Sequence, residues 1–407
     1  MTSVDTYEKA QRAVKYGFFF MGLPIGVLVP RLAEIKHAVG AADAAYGTAI
    51  AIGGIGALLG NYLGSRLVHR IGSRQTARLA IVLLITTNVS NALVPTVTWL
   101  ALVAFMNGFA YAITNIAMNS QGVLVEQGLG RSFMPKAHGY WSLGAMSFGV
   151  LSSLAAPYIS PLVALTIGAT ISLFGFQLGS HYLLATEHED LPADDPTQLQ
   201  RNERIPTAAL QFLIILAIGQ WLALIAEMAV SDWSSVLLHD YFDIAVGPNG
   251  YAFSAFMIVQ LSTRMLSTRF IDQFGLIPVV RLLGFVGGIG FISFLFAANW
   301  AKSDSETLAL ILSCLAYAFM ALGVASMPPA FYTAIGRIPG LPSARALMIT
   351  GAVVSLLNMF GRISLASLTN LVSLPVVLSL TGVSLLISAY MTKALDTNRI
   401  ESHAIRK

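Results

Sequence analysis

The chain has 407 residues, of which 56% are hydrophobic and only 11% are charged. Charged residues usually make up about a quarter of a soluble globular domain, so this composition excludes a soluble protein and predicts one that lies in a lipid bilayer. The formal net charge of +4 does not indicate a nucleic-acid partner, because the basic residues lie at the ends of apolar runs, where membrane topology alone places them.

Twelve apolar runs follow one another along the chain, separated by short clusters of glycine, proline or charge. Each is long enough to cross a bilayer as a helix, which takes roughly 20 residues. The predicted spans are residues 10–38, 45–67, 77–95, 98–125, 137–157, 161–185, 207–239, 250–271, 279–299, 307–335, 344–371 and 374–393. The first is too long for a signal peptide and has no small-residue cleavage site, so we expect it to be retained.

The basic residues predict the orientation of the chain. Lys and Arg are retained on the cytoplasmic side of short loops, and most of the 24 Lys and Arg residues lie on the side of the amino terminus. Arg31, Lys36 and Lys302 lie on the opposite side, while Arg264 and Arg362 fall inside predicted spans. We therefore expect a multi-pass protein of a bacterial inner (plasma) membrane with both termini in the cytoplasm.

Similar residues recur in the two halves of the chain at a constant offset. The matched pairs are Gly47 with Gly250, Arg66 with Arg269, Gly72 with Gly275, and Arg78 with Arg281. Between the halves, the acidic and proline-containing stretch 186–206 is typical of a solvated linker. We predict an all-α integral membrane fold with two pseudo-symmetric six-helix bundles, at 1–185 and 207–393, a cytoplasmic linker at 186–206 and a cytoplasmic tail at 394–407.

The loop after the second span contains Arg66, His69, Arg70 and Gly72 in the stretch G-S-R-L-V-H-R-I-G that begins at Gly64. This stretch resembles the signature that transporters of the major facilitator superfamily carry between their second and third helices. The resemblance implies that these four residues form part of a gate at the inner face. His69 stands where the signature usually has an aspartate, so a charge-based latch is not expected in this half.

The equivalent loop of the second half contains Arg264, Arg269, Asp272 and Gly275. It keeps the acid of the signature, and the resemblance implies a gating role for these four residues, with Asp272 paired to Arg264 or Arg269. The alternative is that the arginines only anchor the eighth helix at lipid headgroups.

Three further blocks resemble a particular branch of the superfamily, the YbjJ-like proteins related to fucose permeases. They are MNSQ at 118–121, HGYWSLG at 138–144 and EMAVSDWS at 227–234. The resemblance implies a monomeric twelve-helix carrier with a central cavity lined by helices one, four, seven and ten. The branch favours a proline after Gly361, where this chain has Arg362.

Asn107, Tyr111, Asn115 and Asn119 recur every four residues in the fourth span. Such a spacing drifts by only ~40° per step on a helix of 3.6 residues per turn, so the four side chains form one polar stripe. Because amides that face lipid are costly, the stripe faces protein or water. It either lines a substrate cavity or hydrogen-bonds to a neighbouring helix.

In the seventh span, Gln220, Glu227 and Ser231 share one face, and Trp221 and Asp232 lie beside it. Glu227 is near the middle of the span, and a buried acid in a membrane bundle is by default a proton or substrate site. The structural alternative is a fixed ion pair with Arg31 or Arg362.

Guanidinium groups and aromatic faces complete the candidate sites, because they suit an anionic or hydroxyl-rich solute. The predicted substrate-binding residues are Arg31, Tyr111, Asn115, Asn119, Trp141, Gln220, Trp221, Asn358 and Arg362. The predicted proton-coupling residues are Glu227, Asp232 and Glu126. Plain packing is the alternative for Trp141, and His138 is either a proton relay with Glu126 or a histidine satisfied by its loop.

The chemistry of an enzyme is not predicted. The sequence has no Gly-rich phosphate loop and no His-Glu-x-x-His motif, and its single cysteine, Cys314, lies within a predicted span. Glu126 and Asp232 fall near opposite ends of their helices. We therefore predict no catalytic residue, no cofactor and no metal site.

These patterns favour a secondary active transporter that takes up a small polar metabolite, such as a sugar or sugar derivative, together with protons. Its expected partners are that solute, protons and the lipid bilayer. Drug-proton antiporters of the superfamily usually carry a Gly-Pro-rich signature in the fifth helix, whereas the stretch 144–149 has no proline. Export of a small amphiphilic metabolite or drug is the alternative, and a membrane-embedded enzyme, a channel or a solute sensor is less favoured.

Overall fold

The computed structural model describes residues 3–131, 133–185, 205–338, 341 and 343–395 of the protein. Over these residues the chain is helical and has no strand, which confirms the all-α prediction. The helices are α1 Ser3–Leu28, α2 Leu32–Ala38, α3 Asp43–Ala51, α4 Gly53–Ile71, α5 Ser73–Ser90, α6 Val97–Leu129, α7 Met134–Ala155, α8 Pro161–Ser180, α9 Thr207–Val236, α10 Tyr251–Phe274, α11 Leu276–Ala301, α12 Glu306–Val324, α13 Met327–Ile335, α14 Ser343–Leu368 and α15 Leu374–Met391.

Nine helical segments within the described residues are long and apolar enough to cross a membrane. They are Asp5–Ala38, Asp43–Ile71, Val97–Leu129, Pro161–Ser180, Ala209–Tyr241, Leu276–Ala301, Glu306–Ile335, Arg345–Leu368 and Leu374–Leu395. Helices α5, α7 and α10 occupy the other three predicted spans. They fall short in composition: α5 has Arg74 and Arg78 in its first two turns and ends in a polar run, and α10 carries three charged residues in its last three turns. The count of twelve membrane spans therefore stays a prediction.

The chain divides into two compact units. The first consists of Met1–Leu191 with Asp232–Ser254, and the second of Pro192–Ser231 with Ala255–Lys407. The end of α9 and the turns after it thus belong to the first unit, where the Tyr46 hydroxyl donates a hydrogen bond of 3.0 Å to the Asp232 carbonyl oxygen. The predicted linker and tail lie mostly outside the described residues, at 186–204 and 396–407, so the predicted domain boundaries are not tested.

Helices α4 and α6 of the first unit approach each other closely at glycine. A Cβ atom at Gly56 would lie 1.9 Å from the carbonyl oxygen of Phe105 and 2.8 Å from its carbonyl carbon. Small residues allow two helix backbones to meet in this way, and the van der Waals attraction between backbones at such short range helps to hold helices together in lipid. Gly56 is therefore required by the packing of α4 on α6.

Two short irregular segments interrupt the helices of the first unit. Residues Val29–Arg31 form a 3₁₀ turn between α1 and α2. Its central residue, Pro30, has no N–H to continue the hydrogen bonds of α1. Residues Leu237–Tyr241 form a π-helical turn after α9. Such turns re-aim side chains and occur often at functional sites, and this one carries His239 and Asp240.

Candidate functional site

The two loops that resemble the gate signature have the same backbone conformation. Gly72 has φ 80° and ψ 156°, and Gly275 has φ 86° and ψ 156°. In each loop the glycine N–H donates to a carbonyl four residues earlier, that of Val68 at 2.9 Å and that of Ile271 at 2.8 Å. Positive φ is strained for residues with a Cβ, so both glycines are required by their turns. This matching geometry supports the predicted repeat.

The charged side chains of these loops are exposed. In the first loop Arg66, His69 and Arg70 are exposed, and the Arg66 guanidinium lies 4.2 Å from the centre of the Tyr62 ring. In the second loop Arg269 and Asp272 are exposed, and none of the described residues forms an ion pair with Asp272. The predicted latch at Asp272 is thus not formed in this structure, where Arg264 instead contacts Glu227 and the Ala325 carbonyl. The gating role of these residues stays a prediction.

Glu227 lies at the centre of a polar cluster in the second unit. Its side chain is 16% exposed, and its Oε1 accepts a 2.8 Å hydrogen bond from Nε2 of Gln260, which is fully buried. Nη2 of Arg264 lies 3.6 Å from the same oxygen, and Nε of Arg264 donates to the Ala325 carbonyl at 3.2 Å. The structure thus pairs Glu227 with Arg264, a partner that the sequence did not indicate.

The polar contacts of Glu227 involve only one of its two carboxylate oxygens among the described residues. Both contacts fall on Oε1, and Oε2 accepts no hydrogen bond from the part of the chain that the structure describes. At 3.6 Å the ion pair is longer than a charge-assisted hydrogen bond, which is usually about 2.7–2.9 Å. Protonation of Oε2 would neutralise the carboxylate, weaken its attraction for Arg264 and leave the Gln260 hydrogen bond in place.

Three predicted substrate-binding residues of the second unit have buried polar atoms that form no hydrogen bond with any residue that the structure describes. They are Oε1 of Gln220, Nε1 of Trp221 and Oδ1 of Asn358. Buried polar groups are nearly always hydrogen-bonded, so such atoms mark places where water or a ligand fits. Trp221 also lines a pocket of about 290 Å³ between α9, α14 and α15, next to Gly361. Arg362 follows that glycine and is half-buried.

The polar stripe of the fourth predicted span lies on α6, in the first unit. Asn107, Tyr111, Asn115 and Asn119 are all half-buried, so none faces fully outward. The Asn119 amide donates to the carbonyl of Asn115 at 2.7 Å and to its Oδ1 at 3.0 Å. Asn107 donates to Thr87 Oγ1 of α5 at 3.5 Å, the limit of a hydrogen bond. The amide of Asn107 therefore bonds between helices, whereas Asn115 and Asn119 bond along their own helix.

Arg31 is fully buried at the start of α2. Its Nη1 lies 3.2 Å from Oε2 of Glu34, and its Nη2 donates to the carbonyl of Ile159. Its buried Nε and Nη1 form no hydrogen bond with the described residues, so substrate binding by Arg31 stays a prediction. Trp141, also predicted to bind substrate, packs against the core of the first unit, and its buried Nε1 has no partner among the described residues.

The two other predicted proton-coupling acids lie in the first unit. Glu126 accepts hydrogen bonds from the backbone N–H groups of Phe133 and Met134, where α7 begins. These N–H groups have no partner within their helix, so Glu126 caps α7. Asp232 is buried near the end of α9. His138 lies against the Phe18 ring at 5.0 Å between ring centres.

We expect Glu126→Ala to lower the stability of the protein. The change removes the acceptor for two N–H groups at the start of α7, and the loss of such a cap costs about 0.5–2 kcal/mol. The measurement is the thermal unfolding of the purified protein, with Glu8→Ala as a control on the first helix. Unchanged stability together with lost coupling would instead assign Glu126 to the proton pathway.

A charged cluster in the first unit was not predicted from the sequence. Lys36 contacts carboxylate oxygens of both Asp43 and Asp240, and His37 and His239 both hydrogen-bond to Asp240. The sequence contains no local signal for this cluster, because its members come from α2, α3 and the turn after α9. Only a three-dimensional structure brings them together.

The sequence of this chain matches a family model and is similar to known relatives. The family model described as Major Facilitator Superfamily matches residues 16–367. An uncharacterized MFS-type transporter of Yersinia pestis is 26% identical over 338 residues, which cover 83% of each chain. An uncharacterized transporter of Sinorhizobium fredii is 23% identical over 342 residues, which cover 83% of this chain and 85% of the relative.

Two solved structures have a similar fold. The structure of the nucleoside transporter NupG matches with a TM-score of 0.69 at 15% identity, covering 95% of this chain and 98% of that one. The structure of a D-xylose-proton symporter matches with a TM-score of 0.72 at 14% identity, covering 94% of this chain and 96% of that one. At these identities the likeness concerns the fold alone.

Proposed function

Because this chain belongs to the Major Facilitator Superfamily, a family of membrane-embedded transporters rather than enzymes, we propose that it takes up a small polar metabolite together with protons by alternating access. The metabolite class that we propose is a sugar or a sugar derivative. The position of Glu227 is the observation that supports coupling of transport to protons. Glu227 is a poorly exposed carboxylate in a membrane-spanning helix, with Gln260 and Arg264 as partners. Transporters of this fold include one for nucleosides and one that moves D-xylose with protons.

Proton coupling follows from the chemistry of the Glu227 cluster. A carboxylate in a poorly hydrated setting is costly to keep ionised unless a cation compensates it, and here Arg264 does so at 3.6 Å. A proton that binds Oε2 therefore competes with Arg264 for the charge of Glu227. Two alternative pairings of one acid provide the two states that a proton-driven cycle requires.

The polarity of the candidate binding residues supports a hydroxyl-rich cargo. The unpaired atoms of Gln220, Trp221 and Asn358 comprise two acceptors and one donor, which suits a solute that offers both O–H donors and oxygen acceptors. The indole of Trp221 adds a flat apolar face. We propose that the protein lies in the bacterial inner membrane with both termini in the cytoplasm.

A thermal-shift screen of the purified protein against sugars, nucleosides, organic acids, amino acids and common drugs tests this proposal. A ligand that binds the folded state raises the melting temperature, by the equivalent of about 2.7 kcal/mol at 100 times its Kd. We expect a sugar or sugar derivative to stabilise the protein, and Asn115→Ala and Tyr111→Phe to weaken that ligand's binding. Asn107→Ala is the control, because its amide bonds to α5. Stabilisation by drugs alone would support export instead.

A further inference from the structure

Five charged or titratable side chains of the first unit meet at one place. Asp240 lies at the centre, with Lys36 on its Oδ2 and with His37 and His239 on its Oδ1. Lys36 also contacts Asp43. None of these residues is used by the proposed transport mechanism, and together they make up an unusual concentration of polar groups at the ends of apolar helices.

The two imidazoles converge on a single oxygen atom. Nε2 of His37 lies 2.7 Å and Nδ1 of His239 lies 2.8 Å from Oδ1 of Asp240, and the ring centres are 5.0 Å apart. An ionised carboxylate only accepts hydrogen bonds, so each of these nitrogens carries a proton in this arrangement. Two imidazole nitrogens from different segments thus lie beside one carboxylate oxygen.

From this convergence we propose that His37, His239 and Asp240 form a binding site for a divalent transition-metal ion, with zinc as the reference ion. The three donor atoms all lie within 4.8 Å of one another. Ligands of tetrahedral zinc bind at about 2.0–2.2 Å, which places them roughly 3.3–3.5 Å apart. A movement of under about 1 Å would open the two His–Asp contacts to that spacing. The proton on each facing nitrogen would move to the other nitrogen of the same ring, or leave to solution if that ring is an imidazolium, so that a neutral imidazole binds the ion.

The choice of metal follows from the donor set. Imidazole suits zinc, copper, nickel and cobalt, whereas calcium and magnesium prefer sites made of oxygen alone. Three protein ligands leave a fourth position for water. An ion can reach the site from solution, because the His37 side chain is 58% exposed. The Asp240 side chain is more buried, at 11% exposed.

The surroundings provide both orientation and charge balance. Lys36 holds Oδ2 of Asp240 and thereby leaves Oδ1 for the two imidazoles, in the manner of the outer partners that orient metal ligands. The positive charge of Lys36 is balanced by Asp43, which it also contacts. The cluster of Lys36, Asp43 and Asp240 therefore keeps one net negative charge for a cation.

The site links segments that are far apart in the sequence. His37 is near the end of α2, whereas His239 and Asp240 lie on the π-helical turn Leu237–Tyr241. In a regular α-helix consecutive residues point about 100° apart, and the wider π turn changes that direction locally. A bound ion would fasten this turn to α2.

The test is zinc binding to the full-length protein in detergent, purified without a polyhistidine tag and measured by titration calorimetry. We expect one zinc ion per chain, and a loss of affinity of at least about tenfold in His37→Ala and in His239→Ala. His181→Ala is the matched control, since His181 is exposed at the end of α8, and it should bind zinc as the unmodified protein does.

Cobalt provides a spectroscopic check, because three-ligand sites with nitrogen and oxygen donors give intense visible absorption when cobalt is tetrahedral. We expect these bands in the unmodified protein and in His181→Ala, and their loss in the His37→Ala/His239→Ala double variant. Zinc affinity in the double variant equal to that of the unmodified protein would overturn the proposal. If His239→Ala does not fold, the exposed His37→Ala decides the question alone. None of these measurements depends on transport.

Discussion

Glu227→Gln is expected to abolish the accumulation of substrate against its gradient while leaving substrate exchange intact. Glutamine has the shape of protonated glutamate, so it keeps the hydrogen bond that Gln260 donates to Oε1 at 2.8 Å. It cannot ionise, and it therefore neither binds nor releases the proton whose movement drives uptake. The protein would be fixed in the state that resembles the protonated carrier, which still permits exchange.

The measurement uses protein reconstituted in vesicles, with the ligand identified by thermal shift as the substrate. Uptake driven by an imposed proton gradient should fall to the level of empty vesicles, whereas counterflow of labelled substrate should continue at a rate close to that of the unmodified protein. Glu306→Gln is the matched control, because it makes the same chemical change at an exposed residue at the start of α12. Normal accumulation by Glu227→Gln would remove this residue from the coupling mechanism.

A substitution of Arg264 tests the same cluster from the side of the cation. Removal of one partner of a poorly solvated ion pair leaves the other charge uncompensated, which makes its charged form less favourable. Arg264→Ala should therefore leave the charge of Glu227 without its cationic partner and impair coupling, as Glu227→Gln does. A combined variant should be no more impaired than either single one if the two residues act as a unit.

The helices of this protein were largely predictable because apolar length alone identifies them. A helix occurs at every predicted span, but the sequence analysis did not predict where a span is interrupted. The predicted span 10–38 breaks at Val29–Arg31 and the span 307–335 breaks at Ala325 and Ser326. Pro30 and the prolines that begin α13 mark both breaks, since proline cannot continue helical hydrogen bonding.

The candidate sites were less predictable, since periodicity shows which residues share a helix face but not which faces meet. The periodicity put Glu227 on the polar face of a long span. Its pairing with Arg264 could not be predicted in this way, because that ion pair joins two different helices. In the same way, Glu126 was predicted to move protons because it is an acid near apolar sequence. Its contact with the N–H groups of Phe133 and Met134 depends on the turn between α6 and α7.

We expect Gly56→Ala to destabilise the first unit, because the substitution disturbs the packing of α4 on α6. The added Cβ would meet backbone atoms of α6, with the Phe105 carbonyl oxygen at 1.9 Å and the Phe109 nitrogen at 3.0 Å. A flexible side chain could turn away from such a contact, but a helix backbone cannot, so α4 and α6 must separate. Overpacking of this kind typically costs about 1–3 kcal/mol.

Gly351→Ala makes the same chemical change in α14, where a Cβ atom would meet no atom of the described residues within 4 Å. Alanine is favoured over glycine inside a helix by roughly 0.5–1 kcal/mol, so the two substitutions should act in opposite directions. The thermal unfolding of both purified variants measures this difference, with a lower melting temperature for Gly56→Ala and an equal or higher one for Gly351→Ala. If Gly56→Ala melted at or above the temperature of the unmodified protein, α4 and α6 could not approach as closely as their glycines indicate, and the bundle that presents the α6 stripe would need a different packing.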